Sequence, residues 1–347
     1  MKDWPIDRKV LSWCLFDFAN SSYSAVIAAV ISPVYYSGVI VGNAYGAGDL
    51  WWGRAISASM AFVAVSSPLL GGLADYAGIR KRLLFLYTLI CVVAVASLSI
   101  VHKGMALEGF ILIVMANIGM EGGLVFYNSF LPEIAETTRQ GRVSAWERFV
   151  KIWADREQRK FLLAYLIFED GVVTVIVFSS IFAATTLHFK SEELILLYMT
   201  VQFTALMGSF IFARPIDYWG PKKVISLSLV LWILVSISAF FVEGKNAFMI
   251  IASIAGLGLG VVQAGSRAFY ARFIPEGQES EYFGVYSLVG KSSAVFGPLV
   301  FGFVSSTFGS QRPAVLSVAF FFLAGLVLIQ AVKGGGPNVE KQAHRSL

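Results

Sequence analysis

FYNSFLPEIAETTRQGRVSAWERFVKIWADREQRKF, residues 126–161, is the longest polar stretch in an otherwise apolar chain, and it divides that chain in two. Its first eight residues, FYNSFLPE (126–133), return as FYARFIPE (269–276), with Phe126/Phe269, Tyr127/Tyr270, Phe130/Phe273, Pro132/Pro275 and Glu133/Glu276 identical. Two long apolar runs follow the second copy. The first copy leads straight into charge. A repeat with unequal continuations points to duplicated halves of unequal size.

The surroundings fix the class. The chain of 347 residues is 57% hydrophobic and 14% charged, with a mean hydropathy of +0.71. A soluble domain is nearer half apolar and a quarter charged, so this is a polytopic membrane protein. A span needs about 20 apolar residues. Ten stretches qualify: about 11–38, 53–74, 83–101, 107–131, 161–187, 193–213, 223–242, 247–271, 283–306 and 312–332. The first carries Asp17 and Asn20 and reads as an uncleaved span rather than a secretory signal.

The net charge of +5 is a topology signal, not a nucleic-acid signal. Of the 27 Lys and Arg, twenty fall on the side that holds both termini, five on the other (Arg54, Lys103, Lys190, Lys245 and Arg312), and two within spans. The positive-inside rule then puts both termini in the cytoplasm. Cys14 and Cys91 lie in apolar runs and read as small core residues. No nucleophile–His–acid set or metal-ligand spacing is present, which argues against an enzyme, and no cofactor is implied. GVYSLVGKS (284–292) has one residue too many between its glycines for a phosphate loop, and GLGLG (256–260) lacks the strand a dinucleotide fingerprint needs. As small-xxx-small pairs, Gly256/Gly260 and Gly119/Gly123 instead predict close helix packing.

Two further repeats register the halves. GGLADYAGIRKR (71–82) matches FARPIDYWGPKK (212–223), setting Asp75 on Asp217, Gly78 on Gly220, Arg80 on Lys222 and Lys81 on Lys223. RKVLSWCLFDFA (8–19) resembles KFLLAYLIFEDG (160–171), setting Asp17 over Glu169. Spans one to four thus repeat as spans five to eight. Parallel repeats of this kind mark secondary transporters.

Gly71, Asp75, Gly78, Arg80 and Lys81 resemble the loop signature of the major facilitator superfamily, with Tyr76 where that family usually has a basic residue. DFANSSY (17–23), VFYNSFLPEIA (125–135), EDGVVTVIV (169–177) and residues 260–302 resemble its vacuole-effluxer-like branch, whose eukaryotic members are autophagy-linked amino-acid exporters. The resemblance implies an all-α bundle moving a small solute by alternating access, with the 71–82 and 212–223 loops as cytoplasmic gates. It also implies six plus six spans. Here Gly141–Ser144 aligns with Gly284–Ser287, where a fifth span should begin, and a charged linker follows instead. The expected architecture is therefore about ten transmembrane helices, four plus six. It comprises a truncated half over 1–135, a cytoplasmic linker over 136–160, a six-helix half over 161–332 and a tail over 333–347. Trp146, Phe149, Val150 and Trp153 share one helical face of the linker, as in a helix lying on the membrane surface.

An ionisable group inside a span needs a reason, since each costs at least ~2.5–3.5 kcal/mol on insertion scales. Asp17, Glu121, Glu169, Asp170, Arg267 and Lys291 sit roughly 12–18 Å along their helices from the cytoplasmic ends. With Asn20, Asn128 and Gln263 they are the candidates for a substrate or proton path. Glu121 is the deepest and the leading proton carrier, unless Arg267 or Lys291 stands beside it. Each has a structural alternative, such as an ion pair or an interhelical hydrogen bond. The gating set is Gly71, Asp75, Gly78, Arg80, Lys81, Asp217, Gly220, Lys222 and Lys223. Expected partners are the lipid bilayer, a small-molecule solute, a proton and a second copy filling the flank left by the missing spans. The expected location is a prokaryotic plasma membrane. The competing reading is a non-transporting relative with a regulatory or assembly role.

Overall fold

The computed structural model describes residues 15–16, 19–20, 23–77, 79–128, 152–275 and 278–333. Asp17, Gly78 and most of the 136–160 linker, with Trp146, Phe149 and Val150, lie outside these residues.

The described chain is helical. A wide-turned first helix, α1 (23–41), precedes α2 (Ala47–Ala77), α3 (Arg80–Ser97) and α4 (Ala106–Asn128). The second half comprises α5 (Arg156–Thr185), α6 (Ser191–Ile211), α7 (Ala213–Trp219), α8 (Pro221–Phe241), α9 (Lys245–Ala271), α10 (Glu279–Ser292), α11 (Phe296–Phe308) and α12 (Gln311–Gln330). Eight helical stretches are long and apolar enough to cross a membrane, corresponding to the third to tenth expected spans. The first two expected spans fall on 27–41 and 44–67, which meet at a bend of 104° across Gly42 and Asn43. Length and composition therefore count eight or nine spans among the described residues, against the ten expected.

Two boundaries differ from the sequence reading. The fifth expected span starts at Arg156, not 161, because Asp155 caps it: its carboxylate accepts the N–H groups of Glu157 (3.0 Å) and Gln158 (2.9 Å). Such a cap satisfies donors that a helix start leaves orphaned. The ninth expected span is not continuous. It breaks at residues 293–295 into α10 and α11.

Packing follows the small residues. A Cβ on Gly119 would fall 2.6 Å from the Cys91 nitrogen, and one on Gly256 would fall 2.6 Å from the Val201 carbonyl oxygen. These glycines let α4 close on α3 and α9 close on α6, as the small-residue spacing predicts. Gly123 meets only ordinary contact, 3.6 Å to Tyr87. Within the second half, α12 packs on α5 and α8, and α9 on α6 and α8. The halves join mainly where α2 lies along α11. Gly53 sits under the Pro298 carbonyl there, and a Cβ on Gly302 would fall 2.8 Å from the Asp49 carbonyl oxygen. Large apolar side chains face outward on α3 (Phe85, Val92) and α6 (Met199, Phe203, Phe210), a surface suited to lipid.

This seam yields a prediction. Gly302→Val should overpack it and lower stability by about 1–3 kcal/mol, read as a drop in the unfolding midpoint in detergent. Phe303→Leu, one residue away and 64% exposed, should leave the midpoint unchanged.

Candidate functional site

Consecutive residues on a helix point about 100° apart, so Glu169 and Asp170 on α5 address different neighbours. Both are buried. Glu169 faces α9, where the Gln263 amide donates to its carboxylate at 3.1 Å. Arg267, one helical turn beyond Gln263, is exposed and lies within electrostatic reach of Glu169. Among the described residues neither forms an ion pair within 4.0 Å. One turn before Glu169, Tyr165 stacks on Tyr286 of α10 at 4.3 Å, and Tyr286 stacks on Tyr270 of α9 at 5.3 Å. The charged centre therefore has an aromatic floor.

Asp170 faces the break between α10 and α11. Its carboxylate accepts the Gly297 N–H at 2.8 Å and also the Phe296 N–H. A broken helix inside hydrocarbon exposes backbone donors that water cannot reach, and a carboxylate at the new helix start satisfies them and complements the helix dipole. In this structure Asp170 caps the start of α11.

Glu121 on α4 and Lys291 on α10 meet across the halves. The Lys291 ammonium lies 3.3 Å from the Glu121 carboxylate and donates to the Glu121 carbonyl at 2.6 Å. Lys291 balances the Glu121 charge, which is the exception set on Glu121 as proton carrier. Asn20 lies half-buried on a helical stretch of the first span. Asn128 ends α4, and its side chain is outside the described set, as is all of Asp17.

The residues expected in the gating loops take separate positions. Gly71 and Asp75 lie in the last turns of α2, with side chains outside the described set. Arg80 opens α3, half-buried, and Lys81 beside it is exposed. Asp217 is exposed on α7, and Gly220 takes φ +82° between α7 and α8, a backbone conformation that suits glycine. Lys222 reaches the end of α12 and donates to the carbonyls of Gln330 (2.9 Å) and Val332 (2.7 Å), while Lys223 is exposed. In this structure Lys222 ties elements of one half together.

Sequence reasoning missed a polar cluster at the opposite, cation-poor end. Asp49, in the first turn of α2, is 0% exposed. It accepts from Asn43 (3.0 Å), Gln311 (2.8 Å) and the Ser305 hydroxyl. The Gln311 carbonyl oxygen accepts from Thr185 (2.8 Å) and Thr186 (2.7 Å). The group borders a polar cavity of about 200 Å³. Asp49 lies in the expected loop between the first two spans, so counting charges within spans passed over it. An acidic residue just ahead of a long apolar run was the available signal. Asn117 and Ser59 were also missed; their 2.6 Å hydrogen bond joins α4 to α2.

Comparison with known proteins follows this geometry. The family described as "Vacuole effluxer Atg22 like" matches residues 54–145 and 137–335, two stretches that overlap inside the polar divider. An uncharacterized MFS-type transporter of Bacillus subtilis, YxiO, is 24% identical over 402 residues, covering 92% of this chain and 94% of that one. Since 92% of 347 residues is about 319, about 83 of the 402 aligned positions face gaps in this chain. Autophagy-related protein 22-1 of Phaeosphaeria nodorum is 29% identical over 209 residues, 56% of this chain. The chain spans only 36% of that fungal relative. Among solved structures, the nucleoside transporter NupG has a TM-score of 0.71 at 12% identity, over 93% of this chain and 98% of that one. A bacterial homolog of the human lysosomal transporter Spinster has a TM-score of 0.67 at 13% identity, over 93% and 96%. These likenesses establish the major facilitator fold.

Two predictions follow from the interhelical contacts. In a double-mutant cycle, Glu121→Gln and Lys291→Met should each destabilise the protein, and the pair should show a coupling of roughly 1 kcal/mol, measured by unfolding in detergent. Asp170→Ala should cost about 0.5–2 kcal/mol, the range for a lost helix cap, with Asp170→Asn losing less because its amide oxygen can still accept from Gly297.

Proposed function

The chain belongs to the Atg22-like vacuole effluxer family and is a membrane transporter of the major facilitator type; from this premise we propose that it carries a small zwitterionic solute, an amino acid, by alternating access coupled to protons. The observation that carries the reading is the disposition of Glu169 and Arg267. A carboxylate held by one neutral amide and a guanidinium with no ion pair among the described residues lie within electrostatic reach of each other. An α-ammonium group suits the first and an α-carboxylate the second. Arg supplies a planar fork for carboxylates, and the tyrosine stack bounds the space with apolar rings that still carry hydroxyls.

Their position supports the same reading. Glu169 lies about 20 Å from the start of α5, at the depth where secondary transporters place substrate and coupling ions. Of the described span carboxylates singled out from the sequence, Asp170 is engaged with the α11 backbone and the half-buried Glu121 with Lys291. Glu169 has a neutral partner, so in this proposal it is the proton carrier. In this proposal the halves contribute four and six spans, an even total that would keep both termini on one side.

The test is uptake of labelled amino acids by purified protein in proteoliposomes, with and without a pH gradient. Glu169→Gln should abolish stimulation by the gradient while sparing exchange, and Arg267→Gln should lower uptake at least about tenfold, the loss expected when one charged hydrogen bond of about 1.5–3 kcal/mol is removed. Absence of flux or counterflow with every amino acid tried would sink the proposal.

A further inference from the structure

The cation-poor end carries a device that the transport reading does not use. The Asp49 carboxylate belongs to the first half. Two of its three donors, Ser305 on α11 and Gln311 on α12, belong to the second. Gln311 is held in turn by Thr185 and Thr186 at the end of α5. One buried carboxylate therefore gathers three helices of the opposite half. Asn43 steadies it from its own side: its amide donates to the carboxylate, and its oxygen accepts the Asp49 N–H at 3.0 Å.

The chemistry suits a joint that must open repeatedly. Among the described residues no Lys, Arg or His pairs with Asp49. Every bond it receives comes from a neutral hydroxyl or amide, and water can replace each one when the halves part. Hydrogen bonds to a charged group are stronger than those between neutral groups when shielded, so two across the seam hold it shut. Once wetted, the carboxylate regains its hydration, so the open state carries no stranded charge. An apolar seal would instead expose hydrocarbon on every opening. The polar cavity beside the cluster, bordered by Thr185, Ser310 and Gln311 among others, brings solvent to its edge. Immediately behind it, Gly53 and Gly302 let the backbones of α2 and α11 meet.

We propose that Asp49 is the latch of the cation-poor end: its bonds from Ser305 and Gln311 keep the two halves closed there, and alternating access requires them to part. The inference rests on the alternating-access reading, but its test does not depend on a substrate. Asp49, Gly53 and Ser57 lie at i, i+4 and i+8, on the face of α2 toward α11. Ser57 is 2% exposed, and its hydroxyl has no hydrogen-bond partner among the described residues, so Ser57→Cys is a mild probe.

In a Cys14→Ser, Cys91→Ala background, Ser57→Cys in intact cells should resist a membrane-impermeant maleimide. Adding Asp49→Ala should raise its labelling rate about tenfold or more, the factor equivalent to 1.4 kcal/mol of lost closure. Should Asp49→Ala fail to give monodisperse protein, the Ser305→Ala, Gln311→Leu double variant removes the same inter-half bonds and decides the matter, with the same rise expected. Unchanged labelling in the folded variants overturns the latch, whatever happens to transport. Increased labelling together with no amino-acid flux in any variant, the parent included, supports the latch and removes the amino-acid reading instead.

Discussion

The closeness of α2 and α11 is the contact on which the arrangement of the halves depends. With so few elements in the first half, there is little else to hold it. Two glycines, Gly53 and Gly302, bring backbone against backbone, and in a bilayer such van der Waals proximity replaces the hydrophobic drive that lipid cannot supply. The Asp49 cluster sits at one end of this seam, and the Glu121–Lys291 pair bridges the halves from α10, the other piece of the broken span. Polar contacts thus occur where the glycine contact ends.

The break between α10 and α11 ties the two halves of the problem together. The outer piece, α11, is committed to α2. The inner piece, α10, carries Lys291 and Tyr286. Asp170 fixes the junction from α5, next to Glu169, which faces the candidate substrate space. Two adjacent carboxylates therefore do unlike work. One holds the backbone of a broken helix, and the other accepts from Gln263 within electrostatic reach of an arginine. Their adjacency means that a shift of α5 reaches both the solute space and the joint of α10 and α11.

Much of this was legible in the residues. Hydropathy placed the third to tenth spans, and internal repeats gave the order of the halves. The spacing of Gly119 and Gly256 foretold two close helix pairs. What stayed hidden has physical causes. The break at 293–295 falls inside a run long enough to span, and hydropathy does not register a lapse in helical hydrogen bonding; Pro298, which lacks an N–H, was the local signal passed over. Asp49 escaped because its meaning lies in Ser305 and Gln311, more than 250 residues away, and neither amide nor hydroxyl stands out in a sequence. Lys291 was singled out, but its partner could be any of several carboxylates until the helices were placed. Asp155 was read as linker, although an Asp two residues before a Glu-Gln pair is a helix-start signal.

The lysines at the end of α12 carry a consequence for how the protein meets the membrane. Lys222 spends its charge on the carbonyls of Gln330 and Val332, and Lys160 divides its own between Glu157 and the Ala331 carbonyl. Both count toward the cationic excess from which the sequence reading expects the orientation of the chain. In the folded chain both are engaged with the end of α12. Exposed cations such as Lys81, Arg82, Arg214 and Lys223 remain for the headgroups. The residues that choose the orientation and those that later grip the lipid are thus partly different sets, and the charge that first directed two helices into the bilayer ends as the clasp that closes the second half.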